Sequence, residues 1–517
     1  MSHSNAIRNG VLCTTILTLM AAQAAADTIR VPLDQPTIQA AIDAAVDGDV
    51  VSVAPGTYVE NIDFLGKAIT VLGEQGPEET VIDGGDSGTV VTFASGEGRD
   101  SVLSGFTLQN GNGVPYDAGG VEISRSSPTL TGNRITANRA CSGVGVTVRF
   151  GSPLIRGNVI TGNAQAGCSG GVGGGGVAVV GAAAAELLDN VISNNTLSSA
   201  DGGGVSLFAA GNPVIRGNVI SNNGPSGISP AVRGGGISMI NFSNALIVQN
   251  LIVGNRAGQG AGIYWQRPSG PTLVNNTIAN NNAFLATGSA VLANGVEANS
   301  LLVNNILAAP VGQTALTCGD FSGANMPTIE FNNVFSESGP AYGGICSDQT
   351  GVNGNISADP LFVDPAGGDY AVADGSPVID AGNNRAPEVP ATDLLGNLRV
   401  VDGDGDELGV VDMGAIEFQP TVTPVGLSER LQHLIETVEA LDIEPPLKLR
   451  LKIKLKVALW FVNGNNLRKE TIAVRLLESF VGQVEPNRGR KIEPADIDLL
   501  VPEAQAIIDA LLNPSAA

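Results

Sequence analysis

A chain that cleaves or transfers groups needs acids, bases or nucleophiles at set spacings, and this one carries few. Of its 517 residues only His3 and His433 are histidine, at opposite ends, so no imidazole can serve as acid or base over the long stretch between them. Residues 111 to 358 hold ten carboxylates, nine arginines and no lysine. Within that sparse set Asp117, Asp201 and Arg233 each stand three residues before an aligned glycine, while Glu122 and Arg149 follow such glycines. These five are the candidate catalytic residues, and Asp201 and Arg233 should be neighbours on successive repeats. The same pair can equally be a surface ion pair contributing roughly 0–1 kcal/mol. Phe208, Ile240 and Tyr264, at positions that alternate outward, are the candidate binding platform on which sugar rings would stack.

A second constellation is acidic. Asp402, Asp404 and Asp406 alternate with glycine, which is how a calcium loop opens, and calcium is the one cofactor suggested. Glu407 stands where such a loop has glycine, however, and Met413 where it closes with a bidentate glutamate. A solvated acidic turn is the alternative reading.

Residues of this kind must be held by something repetitive, because 68 glycines and 4% aromatic residues do not build an ordinary globular core. Self-similarity supplies the answer. Asn133, Asn158, Asn190, Asn218, Asn250, Asn276, Asn305 and Asn333 recur in matching contexts with gaps of 25, 32, 28, 32, 26, 29 and 28 residues. Glycine followed by Val or Ile opens most repeats, as at Gly120, Gly145, Gly176, Gly204, Gly236 and Gly262. Two further apolar columns flank the asparagines: Leu130, Ile155, Leu187, Ile215, Ile247, Leu273 and Leu302 before them, and Ile135, Ile160, Ile192, Ile220, Ile252, Ile278 and Leu307 after. Three short strands per repeat with no helix between them predict a mainly β fold. It is a right-handed, single-stranded parallel β-helix of about thirteen coils over residues 27–358, with three parallel sheets at about 4.8 Å per coil. The asparagine column should be a buried amide ladder. Residues 36–42 have the apolar spacing of a short helix that caps the first coil and covers its open edge.

Cysteine spacing follows the same period. Cys141-Ser142-Gly143 and Cys168-Ser169-Gly170 repeat one coil apart, and Cys318 and Cys346 are also about one coil apart. Two disulfides, Cys141–Cys168 and Cys318–Cys346, are expected. Residues 359–418 hold thirteen carboxylates and form the acidic end of the β-helix. A Pro-containing linker at 419–426 precedes helix-forming residues 427–514, where helices at about 446–462, 467–484 and 494–512 follow one carried by Leu427, Leu431, Leu434, Ile435, Val438 and Leu441, making a four-helix bundle. The run Lys448–Lys456 alternates with period two, formally a strand pattern, but Pro445, Pro446 and the helical neighbours outvote it.

Charge and address narrow the partners. Net charge is −23. Residues 425–517 hold 12 Lys+Arg against 13 Asp+Glu, leaving 15 against 37 for the rest, so the body is acidic and repels nucleic acid and anionic membrane. Residues 1–26 carry Arg8, an apolar run from Val11 to Leu19 and the small residues Ala21, Ala22, Ala24, Ala25 and Ala26, the pattern of a signal peptide. No other stretch has the apolar length of a membrane span. A secreted product is expected, periplasmic, on the cell surface or extracellular, and monomeric because both ends of the stack close.

The opening Pro36-Thr37-Ile38-Gln39-Ala40-Ala41-Ile42-Asp43-Ala44-Ala45, followed by Gly48-Asp49-Val50-Val51-Ser52-Val53-Ala54-Pro55-Gly56-Thr57-Tyr58, resembles the start of bacterial right-handed β-helix proteins of the pectate-lyase-like superfamily. The likeness spans roughly residues 28–418. The tail resembles the FIMAH-type helical domain through Leu455–Asn463, Leu477–Val484 and Ile497–Ile508. Enzymes of that superfamily act on acidic polysaccharides with clustered aspartates, or with calcium and a basic residue. With no such cluster here, the expected function is non-catalytic: an extended face presented to polysaccharide, a cell-envelope component or protein. A calcium-dependent polysaccharide lyase or epimerase and a structural spacer are the alternatives.

Overall fold

An apolar run of three or four residues bounded by turns cannot pair with itself and pairs instead with the equivalent run one repeat later. The computed structural model of the protein describes residues 26–512 apart from 115–117, 167–172, 182–183, 267, 296–299, 322–324, 407, 421–423 and 463–466. The expected signal peptide and Asp117 lie outside the described residues. Strands from successive repeats stack in parallel into three sheets. Sheet 1 (11 strands) contains the runs that follow the aligned glycines, sheet 2 (12 strands) the runs before the ladder asparagines, and sheet 3 (11 strands) the runs after them. The mainly β solenoid therefore has fewer coils than the thirteen expected, and at the usual strand spacing it is roughly 50 Å long. Register is kept column by column: Val121 pairs with Val146 in sheet 1, Leu130 with Ile155 in sheet 2 and Ile135 with Ile160 in sheet 3. The two inward columns read from the sequence, Leu130 to Leu302 and Ile135 to Leu307, are fully buried.

Amide ladders bind the coils. The Oδ1 of Asn158 accepts both the main-chain N–H and the Nδ2 of Asn133, while its own Nδ2 donates to Leu130 O and to Asn190 Oδ1. The pattern runs without a break through Asn190, Asn218, Asn250, Asn276 and Asn305. It then continues through Asn332 and Asn355, not through Asn333. The adjacent asparagines Asn332 and Asn333 permit either register, and Asn332 is the one that lies opposite Asn305; Asn333 turns instead to Ala358. A second ladder, Asn138, Asn163, Asn195, Asn223, Asn255 and Asn281, lies five residues further along each coil.

Helix α1 (Ile38–Ala44) closes the N-terminal end. Thr37 accepts the Ala40 N–H at its start, and Ile38, Ala41 and Ile42 are buried against the first coil. At the other end Cys318 and Cys346 form a disulfide. Cys141 is also disulfide-bonded; Cys168 lies outside the described residues.

Residues 359–418 do not add coils. They form two antiparallel hairpins, Phe362–Asp364 with Asp369–Val372 and Val400–Val401 with Val410–Val411, and fold back along the flank. Tyr370, Val372, Val378 and Met413 pack on Leu251, Val253, Ala279, Ile306 and Ala308, the outer residues of sheet 3 in the later coils. The reason is visible in those outer columns. Thr136, Thr161, Ser193 and Ser221 give way to Val253, Ala279 and Ala308 in sheet 3, and Val248, Val274 and Val303 in sheet 2 are buried. An apolar outer face has to be covered.

The C-terminal residues form four helices, α2 (Pro424–Ala440), α3 (Pro445–Val462), α4 (Leu467–Val484) and α5 (Pro494–Leu512), around their own core of Leu431, Leu434, Leu451, Leu455, Leu477, Phe480, Ile497 and Leu500. The Lys448–Lys456 alternation is helical, since inward positions Leu451, Leu455, Ala458 and Val462 keep spacings of four, three and four.

Candidate functional site

The middle coils carry a glycine-rich arch ahead of sheet 1, as at Gly202–Gly204, Gly234–Gly236 and Gly260–Gly262, and the arch decides which outward residues reach solvent. The outer column Thr147, Ala178, Ser206, Ser238, Tyr264, Leu292 and Thr317 is buried, although strand alternation points it away from the interior. Gly260 shows why: it sits at φ +55, and a Cβ there would lie 2.9 Å from Tyr264 Cβ. Only glycine lets the main chain close over the column at that distance. Tyr264 is therefore not part of a surface platform. It is fully buried, and its hydroxyl donates to Gln266 Oε1 and accepts from Arg233 Nη1 at 3.0 Å.

The structure brings together four of the five candidate catalytic residues, in two separate ion pairs. Arg233 Nη2 meets Asp201 Oδ2 at 2.6 Å, and the Arg233 N–H donates to Asp201 Oδ1 at 2.8 Å. The guanidinium also lies 4.9 Å from the Tyr264 ring centroid. Burial works against the charged form, but Asp201 and Tyr264 hold the Arg233 guanidinium above its ordinary range. Three coils earlier along sheet 1, Arg149 bonds to Glu122. Each arginine thus neutralises the carboxylate beside it, and neither pair leaves a free base facing a cleft.

One column further along sheet 1 the picture changes. Arg149, Val180, Phe208 and Ile240 are aligned on successive coils and half-exposed. The corner beyond them carries Phe150, 56% exposed, and Phe242, 65% exposed. Both phenylalanines have left-handed backbones, at φ +57 and +63, a conformation that is strained for a bulky side chain and concentrates at functional positions. The Phe150 ring lies over Gly181 of the next coil, with the Arg125 guanidinium 5.8 Å from its centroid. Phe150, Val180, Phe208, Ile240 and Phe242 form an apolar strip three coil steps long, about 14 Å along the axis.

The acidic constellation is also rearranged. Asp380, Asp402 and Asp404 each place a carboxylate oxygen within 4.8 Å of the others; Asp406 does not join them. Asp380 is the hub: Oδ2 accepts the N–H groups of Gly403 and Asp404, and Oδ1 that of Val410. Asp402, Asp404 and Asp406 accept the N–H groups of Gly405, Asp406 and Leu408 in turn, so the alternation with glycine builds a chain of tight turns. Burial pushes the Asp380 carboxyl up.

Two polar features were not read from the sequence. A hollow of about 350 Å³ on the early coils is lined by Asp83, Gly85, Asp86, Asn110, Ala137 and Arg139. Burial opposes ionisation of Asp83, but Gln109, the Gly85 N–H and Asn110 hold its carboxyl below the ordinary range. Under the flanking hairpins, Arg399 is fully buried and paired with Glu417 at 3.3 Å, and it donates to Gln249, Gly414 O and Ala415 O.

A family model described as right handed beta helix region matches residues 169–376, and one described as periplasmic copper-binding protein (NosD) matches residues 47–255. No curated protein matches the chain. The donor set does not fit copper. Residues 47–255 contain no histidine, and among the described ones the one methionine, Met239, is buried in the coil interior and Cys141 is disulfide-bonded, so imidazole is not on offer there and no described residue offers a free thiolate or an accessible thioether; Cys168 lies outside the described residues. What these residues share with that family is the coil pattern. Among the described residues no helix is long and apolar enough to cross a membrane.

Proposed function

We propose that this is an exported, non-catalytic β-helix protein of the periplasm or cell surface that binds a polysaccharide of the envelope along the edge of sheet 1. The observation that carries the reading is the strip of Phe150, Val180, Phe208, Ile240 and Phe242, in which two strained phenylalanines are held out to solvent. Its members recur at the coil spacing, so it can offer an apolar face to several sugar rings in succession. The likeness of residues 28–418 to the pectate-lyase-like superfamily and of the tail to FIMAH-type domains supports a carbohydrate-facing role, and the NosD match supports a periplasmic address. Both arginine–carboxylate pairs on sheet 1 are closed ion pairs, which argues against the lyase alternative.

The test is a panel of neutral and acidic envelope polysaccharides titrated against the processed chain beginning at Asp27. Binding should be lost in Phe150→Ala/Phe242→Ala while the melting temperature holds, because both rings are more than half exposed. Retention of binding in that variant, or the appearance of unsaturated uronate ends in the ultraviolet, would sink the proposal.

A further inference from the structure

Helix α3 has more apolar residues than its bundle can bury. Leu451, Leu455, Ala458 and Val462 face the core, yet Leu449, Ile453 and Trp460 are 59%, 52% and 65% exposed. At 100° per residue these three fall within about 40° of one another, on a line about 16 Å long. The period-two alternation of 447–457 produces this: on a helix it places leucine and isoleucine on opposite faces at once.

Charge says what covers the outer stripe. The sequence of α3 contains five cations and no carboxylate. Lys452 is paired with Glu439, and Lys448 and Lys454 donate to Glu439 O and Ser479 O. Arg450 and Lys456 border the stripe and reach no carboxylate among the described residues. We infer that the outer face of α3 docks this protein peripherally on an anionic lipid surface, with Leu449, Ile453 and Trp460 entering the headgroup boundary and Arg450 and Lys456 meeting lipid phosphates. A convex single-helix stripe of aliphatic residues and tryptophan bordered by Arg450 and Lys456 has the make-up of an interfacial helix. The acidity of the body does not oppose this, because its charges beyond roughly 10 Å are screened at physiological salt.

The two tryptophans make the experiment direct. Trp265 is fully buried in the coils and Trp460 is not, so a change in emission on adding lipid reports Trp460. The processed chain is mixed with vesicles of phosphatidylcholine alone or with phosphatidylglycerol, and emission and flotation are measured. Flotation and a blue shift are expected only with the anionic vesicles. Leu449→Glu/Ile453→Glu should abolish both without lowering the melting temperature, and Arg450→Gln/Lys456→Gln should weaken partitioning about thirtyfold. No flotation, or flotation retained in Leu449→Glu/Ile453→Glu, would overturn the inference. So would a blue shift that grows with protein concentration without lipid, which would assign the stripe to a second copy, or one produced by polygalacturonate but not by vesicles.

Discussion

The buried polar network under the flanking hairpins makes stability depend on pH in an unusual direction. Asp393, Arg399, Asp412 and Glu417 are all at most 2% exposed, so one guanidinium faces three carboxyl groups away from water. Burial pushes the Asp412 carboxyl from its ordinary 3.8 up to about 7. Burial, together with the neighbouring Asp412, pushes Glu417 up to about 9. The folded protein therefore keeps a proton that the unfolded chain has already released. Stability is complete below about pH 4 and is lost as pH rises through 7 and towards 9, the reverse of an ordinary ion-paired aspartate. Counting only the Asp412 proton, three pH units between about pH 4 and pH 7 at about 1.4 kcal/mol each give a loss of about 4 kcal/mol in the attachment of residues 359–418, to which Glu417 adds as pH rises towards 9.

The amides that report it are those of Asp380, Asp412, Glu417 and Phe418, each donating to a carboxylate of the network. Their protection against hydrogen exchange, corrected for intrinsic rates, should fall between pH 4 and 9, while the ladder asparagines stay protected. In Glu417→Gln the slope above pH 7 should disappear. Protection that is flat or that rises over this range would refute the reasoning, since it would mean that Arg399 keeps the carboxyls ionised throughout.

Two further outcomes follow from the coils themselves. Asn218 accepts from the Asn190 N–H and Nδ2 and donates to Leu187 O, Arg216 O and Asn250 Oδ1; Asn218→Ala should cost about 3 kcal/mol in denaturant unfolding, because it orphans buried groups on two coils. Reducing Cys318–Cys346, which closes 28 residues, should lower stability by about 3 kcal/mol, seen as earlier exchange in the last coil.

Most of the coil was legible because its signals are periodic and local. The asparagines and the isoleucines two residues after them fix the strand, its inward face and its neighbour together. The second ladder carries the same signal, an asparagine five residues after each of the first six, but one ladder already accounts for the period. Tyr264 was misplaced for a different reason. Alternation tells which way a side chain leaves the strand, but not that the arch at Gly260 folds over it. The register slip from Asn333 to Asn332 could not be settled from two adjacent asparagines. Residues 359–418 read as the acidic end of the β-helix, because their turns and carboxylates resemble the end of a stack. Their fold-back along the flank is signalled elsewhere in the chain, in the outer columns that turn apolar at Val248 and Val253.

Those columns also explain why the sheet 1 edge matters. The fold conceals outward apolar residues by two devices, the glycine arches over the first outer column of sheet 1 and the hairpins over the later coils of sheets 2 and 3. Either device could have been extended by a few residues. Phe150 and Phe242 lie under neither, and each is held in a left-handed backbone that disfavours a large side chain. Asparagine or glycine would relieve the strain at both corners, as Asn241 and Gly181 do beside them. The left-handed corner recurs along the coils, at Leu65, Arg125, Ala209 and Asn241 as well, so what sets Phe150 and Phe242 apart is a large ring left more than half exposed, and that is the physical ground on which the binding face is proposed there.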